Sequence, residues 1–262
     1  MPNLNFDDQA QAFDRRAGLS PADSTRVAAA VMELSGPGWL LDLGAGTGVV
    51  GCDLAHLHQR YLGLDLSLPM LAVFRGKQLG KPTGMGWVQA DGDRPWPVAD
   101  ASVGTLFCSR AAHLLSFAHL IEEAQRVAHA KGMSFVLGSV RRSEDSVRDA
   151  LRREMRRLLK EQGIEGGGGR QLKARILDEL EGLGGQKLAP RNVSSWSVQE
   201  CPMDALKSWR SKNGLAGRAV PEDIRNLVLN RLETWARERW GSLEKNYPST
   251  EYYELRAIRL GA

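Results

Sequence analysis

The segment Leu40-Leu41-Asp42-Leu43-Gly44-Ala45-Gly46-Thr47-Gly48 constrains this chain more than any other. Trp39 to Leu43 is an apolar run of strand length, and glycine then recurs at alternate positions. Glycine takes positive φ without steric cost and lets a neighbour approach the backbone without meeting a Cβ. The pattern predicts a buried strand, a sharp turn, and a helix from near Thr47 to about His58. The start of a helix carries N–H groups with no intrahelical partner, which suits an anion, so the segment points to a nucleotide-type cofactor. A tight strand-to-helix turn with no ligand would be spelled the same way.

Residues 60–65, Arg-Tyr-Leu-Gly-Leu-Asp, supply a second strand ending in Asp65, 21 positions after Gly44. In a βαβ unit an acid at about that distance reaches the ribose hydroxyls. The other reading is a local one, in which Asp65 caps the helix that opens at Ser67-Leu68-Pro69.

The glycine pattern is not GxGxxG. It resembles the first motif of the class I S-adenosylmethionine-dependent methyltransferases, in their small-molecule, type 11-like branch. Leu64-Asp65-Leu66-Ser67-Leu68-Pro69-Met70-Leu71 is similar to that family's second segment. Gln89-Ala90-Asp91-Gly92-Asp93 with Trp96-Pro97 is similar to its third. Glu122 to Val127, then Lys131 to Leu137, resemble the helix and strand that follow. The likeness covers about residues 10–140 and the last strand. It implies S-adenosyl-L-methionine as cofactor and S-adenosyl-L-homocysteine as product. It places Asp42, Gly44, Ala45, Gly46, Asp65, Leu66, Met70, Asp91, Gly92 and Ser109 among the cofactor-binding residues. Within that set Asp65 would hold the ribose, Asp91 and the Gly92 N–H the adenine, and the Ser109 backbone the methionine amine. Phe13-Asp14-Arg15-Arg16-Ala17 resembles the entry segment that covers the cofactor, with Phe13 and Arg16 near its methionine end. Core packing for Phe13 and solvation for the arginines are equally open.

The implied fold is α/β: a Rossmann-like, doubly wound, mostly parallel seven-stranded sheet with an antiparallel edge strand and a helical lid or insertion. The chain has 262 residues, ample for such a core. Helices are expected at Phe6–Ala17, from Ser20-Pro21 to about Ser35, at Pro69–Gln78, and after the fourth strand with His119 and His129 on it. Gly80 to Gly84 reads as a loop. Strands are expected at Gly86–Ala90, Ser102–Cys108 and Gly132–Val140. Residues 1–140 would form the cofactor core, 141–170 a basic helical lid and Gly-rich link, and 171–262 the rest of the sheet, with helices inserted at 201–250.

Ser109-Arg110-Ala111-Ala112-His113 leaves the carboxyl end of the fourth strand, where ligands of open parallel sheets sit. His113 is the candidate general base, since imidazole titrates near neutral pH. A helix-start histidine bonded to backbone is the alternative. His56 and His58 are two apart and cannot share a helix face, so no metal site is expected. Residues 141–160 hold eight Arg or Lys against four acids. There Val147, Leu151, Met155 and Leu158 form an apolar stripe beside a row of Arg148, Arg152 and Arg156. That row reads either as a solvated face or as a lid that holds an anionic substrate. Further on, Leu172–Leu183, Met203–Trp209 and Pro221–Trp240 read as helices, the last with Ile224, Leu227, Val228, Leu232 and Trp235 on one side. Asn192–Gln199 and Glu254–Leu260 read as paired strands.

A net charge of +4 is too small to imply nucleic acid by itself. Cys52, Cys108 and Cys201 are widely spaced and form no CxxC, which suggests reduced thiols and a cytoplasmic setting. The N-terminus lacks an apolar signal core, and no apolar run is long enough to cross a bilayer. The expected activity is transfer of a methyl group to an O or N atom of a small molecule, anionic or aromatic. An RNA methyltransferase using the Arg-rich helix, or a non-catalytic cofactor-binding module, are the alternatives. Oligomeric state is not legible here.

Overall fold

The computed structural model describes residues 18–78, 84–165 and 169–261. The expected first helix, with Phe13 and Arg16, lies outside the described residues, as do most of the 80–84 loop and residues 166–168 of the Gly-rich link. The chain forms two compact units. The first comprises residues 1–140, 172–194 and 253–262, and the second 141–171 and 195–252.

The strands of the main sheet are β1 (Trp39–Leu43), β2 (Tyr61–Asp65), β3 (Met85–Gln89), β4 (Val103–Ser109) and β5 (Met133–Arg142). They are followed by β6 (Gln186–Lys187), β7 (Arg191–Glu200) and β10 (Tyr247–Leu260). The sheet order is β3-β2-β1-β4-β5-β10-β6, with β7 also on β10. Strands β3, β2, β1, β4 and β5 pair in parallel, and β10 pairs with β6 antiparallel. The sheet has eight strands, not seven, because β6 adds a two-residue edge too short to leave a pattern in sequence. The chain runs outward from β1 to β3 and then returns to place β4 on the other side of β1. That reversal is a topological switch point, and the crevice it leaves opens at the carboxyl ends of β1 and β4.

Side-chain alternation divides β1. Leu41 and Leu43 join one buried face with Leu106, Phe135, Leu137 and the apolar sides of α4 (Phe117–Val127) and α6 (Gly169–Gly182). The opposite face is covered by α1 (Pro21–Met32), α2 (Gly51–Leu57) and α3 (Leu68–Lys77). There Phe74 of α3 sits edge-on to Tyr61 at 5.9 Å and to Trp87 at 5.7 Å. Ser20 caps α1 in a capping box with Asp23, and Ser24 of α1 donates to Asp53 of α2 at 2.7 Å. Helix α4 ends at Val127, so His129 lies beyond it, while His119 is on it as expected.

Helix α2 begins at Gly51, four residues later than the sequence suggests. Gly46 and Gly48 keep φ of 55° and 74°, which a right-handed helix cannot include. A Cβ at Gly48 would stand 2.4 Å from the Phe74 ring.

In the second unit α5 (Val147–Glu161) buries its apolar stripe of Val147, Leu151, Met155 and Leu158 as expected. It packs with α7 (Pro202–Arg210) and α8 (Glu222–Trp240). A small hairpin, β8 (Gly214–Leu215) with β9 (Arg218–Ala219), follows α7. On α8 the buried stripe is Val228, Leu229, Leu232 and Ala236. Leu227, expected inside, is 45% exposed. Trp209 is buried, and Trp235 and Trp240 meet edge-on at 5.5 Å against the same cluster, so these tryptophans serve packing.

Asp42 shows how the core constrains the glycine turn. Its side chain is buried, and Tyr61 Oη donates to its Oδ2 at 2.6 Å. A Cβ at Gly51 would stand 2.5 Å from that hydroxyl and 2.9 Å from the carboxylate oxygen. Burial, eased by the Tyr61 hydrogen bond, raises the Asp42 pKa from 3.8 to about 7. The unfolded chain therefore loses this proton at lower pH than the folded one, so stability falls as pH rises from about 4 to about 7 and is flat above. A shift of that size is worth on the order of 4 kcal/mol. Denaturant titrations of Asp42→Asn should lack this fall. Parallel stability profiles for variant and wild type would show that Asp42 is not the group responsible.

Candidate active site

The glycine turn is fixed by backbone bonds to the neighbouring strand. The Gly44 and Ala45 N–H groups both donate to the Leu64 carbonyl, at 2.8 and 3.1 Å. Gly44 has φ of 75°, and a Cβ there would stand 2.3 Å from the Cβ of Ala111, in the segment after β4. Glycine is thus required at 44 by both conformation and space. Gly46 has open space where a Cβ would lie. Lys77 donates to the Thr47 carbonyl at 2.8 Å and ties the far side of the turn to α3.

Asp65 closes the second side. Its Oδ2 accepts from the Gly46 N–H at 2.7 Å and its Oδ1 from the Ser67 N–H at 2.9 Å. Asp65 therefore bonds the turn before α3 and also reaches across to the glycine loop, while the cap of α3 itself is Ser67. Ser67 caps α3 by accepting from the Met70 N–H at 3.3 Å. Leu66 is 39% exposed at this edge, whereas Met70 is 2% exposed and belongs to the core.

Beyond β3, Asp91 is half-buried and its Oδ1 accepts from the Asp93 N–H at 2.9 Å. Gly92 is buried, and a Cβ on it would stand 2.7 Å from Leu115. Trp96 Nε1 donates to the Gly92 carbonyl at 3.1 Å from within the core, so Trp96 is a packing residue. Asp93 Oδ1 in turn accepts from the Ser116 N–H at 2.6 Å and links this loop to the start of α4.

The segment after β4 carries strain. Arg110 has φ of 64°, a conformation that costs a non-glycine residue on the order of 1 kcal/mol. Its N–H donates to the Gly138 carbonyl at 3.2 Å. Ser109 Oγ and Tyr253 Oη are 2.5 Å apart. Gly138 makes room for that tyrosine, since a Cβ there would stand 2.2 Å from its hydroxyl. His113 follows on a single 3₁₀ turn, Ala112–Leu114, exposed at the carboxyl end of the sheet. Desolvation, then the cations Lys173 and Arg110, hold its pKa below 6.5, so the ring is neutral at neutral pH.

Asp42 is beneath the turn and bonded to Tyr61, so it shapes the loop from below. Gly44, Ala45, Gly46, Asp65, Leu66, Asp91, Gly92, Ser109 and His113 lie at or just past the ends of β1–β4. Two residues escaped the sequence reading: Tyr253, which anchors Ser109, and Arg110, whose φ no residue type announces. The strand holding Tyr253 starts at Tyr247, earlier than expected.

Comparison with known proteins agrees with this geometry. Residues 41–136 match the model of the "Methyltransferase domain" family. Comparison with curated proteins gives no significant match. Among solved structures, a Bacillus halodurans protein carrying a methyltransferase name is 19% identical with TM-score 0.56, over 90% of this chain and 99% of that one. The YcgJ protein of Bacillus subtilis is 18% identical with TM-score 0.55, over 92% and 99%. The [4+2]-cyclase SpnF is 16% identical with TM-score 0.52, over 94% and 84%, so the shared fold alone does not fix the reaction. Likeness at these identities is likeness of fold, and the family match adds that residues 41–136 are similar to a methyltransferase domain.

Proposed function

We propose that this enzyme binds S-adenosylmethionine across the carboxyl ends of β1 and β2 and transfers its methyl group to an O or N atom of a small molecule. The observation that carries the reading is the placement of Asp65, a carboxylate fixed by two backbone N–H groups beside an open glycine loop at the switch point. Ribose hydroxyls would donate to that carboxylate. Asp91 and the Gly92 N–H would meet the adenine, with exposed Leu66 and Leu114 as apolar surface at the same edge. The Ser109 backbone would take the methionine amine. Met70 and Asp42 would support these groups from the core.

The cofactor supplies an already activated methyl group on a sulfonium. The chain has to align the acceptor and exclude water, and alignment can lower a barrier by ~7–11 kcal/mol in favourable cases. An acceptor hydroxyl or ammonium must also lose a proton. His113 is neutral at neutral pH and exposed at the correct end of the sheet, which suits it to take that proton. The small-molecule acceptor and a cytoplasmic setting, where Cys52, Cys108 and Cys201 stay as thiols, belong to the same proposal.

Asp65→Ala should weaken S-adenosylhomocysteine binding at least tenfold by calorimetry, since hydrogen bonds to a charged group are worth about 1.5–3 kcal/mol each. Undiminished affinity in a folded variant would remove the ribose assignment. Methyl transfer should fall as pH drops through an ionisation below 6.5, because an imidazolium cannot accept a proton. His113→Ala should slow transfer by roughly 10²–10⁴ and abolish that limb; a variant that keeps the wild-type pH profile would show that His113 is not the base.

A further inference from the structure

The carboxyl end of β4 is held by a side chain from two strands away. Tyr253 of β10 is fully buried, and its Oη stands 2.5 Å from Ser109 Oγ. Strand β5 lies between β4 and β10 in the sheet. Ser109 is paired with Gly138 of β5, so a side chain at 138 would share the face of the sheet that Ser109 uses. A Cβ there would stand 2.2 Å from the Tyr253 hydroxyl and 2.9 Å from its Cζ. The phenol therefore crosses β5 only because residue 138 is glycine.

Apolar packing does not call for that hydroxyl. A phenylalanine would fill the same space, and burying a hydroxyl is unfavourable unless it is hydrogen-bonded. Among the described residues Ser109 is its one hydrogen-bond partner. Burial raises the phenol pKa, so the hydroxyl keeps its proton and can donate. Turning Ser109 away would leave that donor buried and unpaired. The bond thus fixes the Ser109 side chain, and with it the backbone that leads into Arg110. Arg110 has φ of 64°, and its N–H donates to the Gly138 carbonyl at 3.2 Å. The next residue, Ala111, lies hard against the glycine turn, where a Cβ on Gly44 would stand 2.3 Å from the Ala111 Cβ. Bonds and close contacts therefore run without a break from Tyr253 through residues 109–111 to the first motif, all within the first unit.

We infer that Tyr253 is a positioning residue for the methionine end of the cofactor: acting through Ser109 Oγ, its hydroxyl holds residues 109–111 in the strained form that presents the Ser109 backbone to the methionine amine. The inference rests on the S-adenosylmethionine reading above. Strain of this kind persists only where the surroundings over-determine it. Here the side-chain bond comes from β10 and the carbonyl that takes the Arg110 N–H from β5. Without the Tyr253 hydroxyl the turn relaxes toward negative φ at Arg110 and the amine loses its place. The proposed ribose and adenine contacts at Asp65, Asp91 and Gly92 lie on other strands and stay as they are.

The test uses the full chain and two ligands, titrated by calorimetry. One is S-adenosylhomocysteine; the other is methylthioadenosine, which carries the same nucleoside and sulfur without the amino-acid part. Tyr253→Phe should weaken S-adenosylhomocysteine binding by roughly threefold to tenfold, the range of one neutral hydrogen bond. It should leave methylthioadenosine binding unchanged. Ser109→Ala removes the other partner and keeps the backbone, so it should show the same selective loss. The double variant should lose no more than either single one, because the two side chains act through one bond. A merely structural role would lower the melting temperature and leave both affinities of the folded protein as they are, or loosen both ligands together; either result would overturn the inference. If Tyr253→Phe does not fold, Ser109→Ala decides. Wild-type protein that binds neither ligand would remove the cofactor reading and this inference with it. Wild type and Tyr253→Phe binding S-adenosylhomocysteine equally well would remove the positioning role alone.

Discussion

The Asp65 carboxylate joins two pieces of chain that sequence leaves 21 residues apart, the glycine turn at Gly46 and the start of α3 at Ser67. One oxygen holds the Gly46 N–H at 2.7 Å and the other the Ser67 N–H at 2.9 Å. Charge-assisted bonds of this kind are roughly twice as strong as neutral ones. They fix the turn against β2 while the Leu64 carbonyl fixes it from beneath. The result is a glycine loop at which, among the described residues, nothing lies within 4 Å of where a Cβ on Gly46 would stand. The rest of the candidate site is built around that loop.

The surrounding contacts are tight where the backbone must not move. Gly44 against Ala111, Gly48 against Phe74, Gly51 against Tyr61 and Gly138 against Tyr253 each leave too little room for a Cβ. Overpacking at such positions costs about 1–3 kcal/mol. Three of these glycines are in or beside the first motif, and the fourth supports the strained turn at Arg110. The core thus holds the crevice by close backbone approach as well as by hydrophobic burial. Arg110 keeps an unfavourable φ because Gly138 and the Ser109–Tyr253 pair determine its surroundings from two strands.

Much of this was legible in the sequence. Strand β1 was read at Trp39–Leu43, and β2 to β5 within two residues, because buried parallel strands spell themselves as apolar runs between turn residues. The acid that ends β2, Asp65, stands out by its spacing from the glycines. Other features were hidden for physical reasons. Helix α2 starts late because two positive-φ glycines precede it, and a residue string does not show φ. The start of β10 was missed because its inward residues Ser249 and Glu251 are polar yet 5% and 9% exposed, so polarity did not mark the outside. Leu227 and Leu229 exchanged places because helix periodicity tolerates a one-residue rotation of the stripe. The basic row on α5 was visible, but that the helix's own acids Asp149 and Glu154 pair with Arg153 and Arg157 is not spelled in the residue string.

A crystal structure with S-adenosylhomocysteine tests the central claim most directly. The account predicts that ligand lying over Gly44–Gly46, with both ribose hydroxyls within 3 Å or so, hydrogen-bond range, of the Asp65 carboxylate. A ligand bound elsewhere, or a ribose that leaves Asp65 bonded to backbone alone, would contradict it.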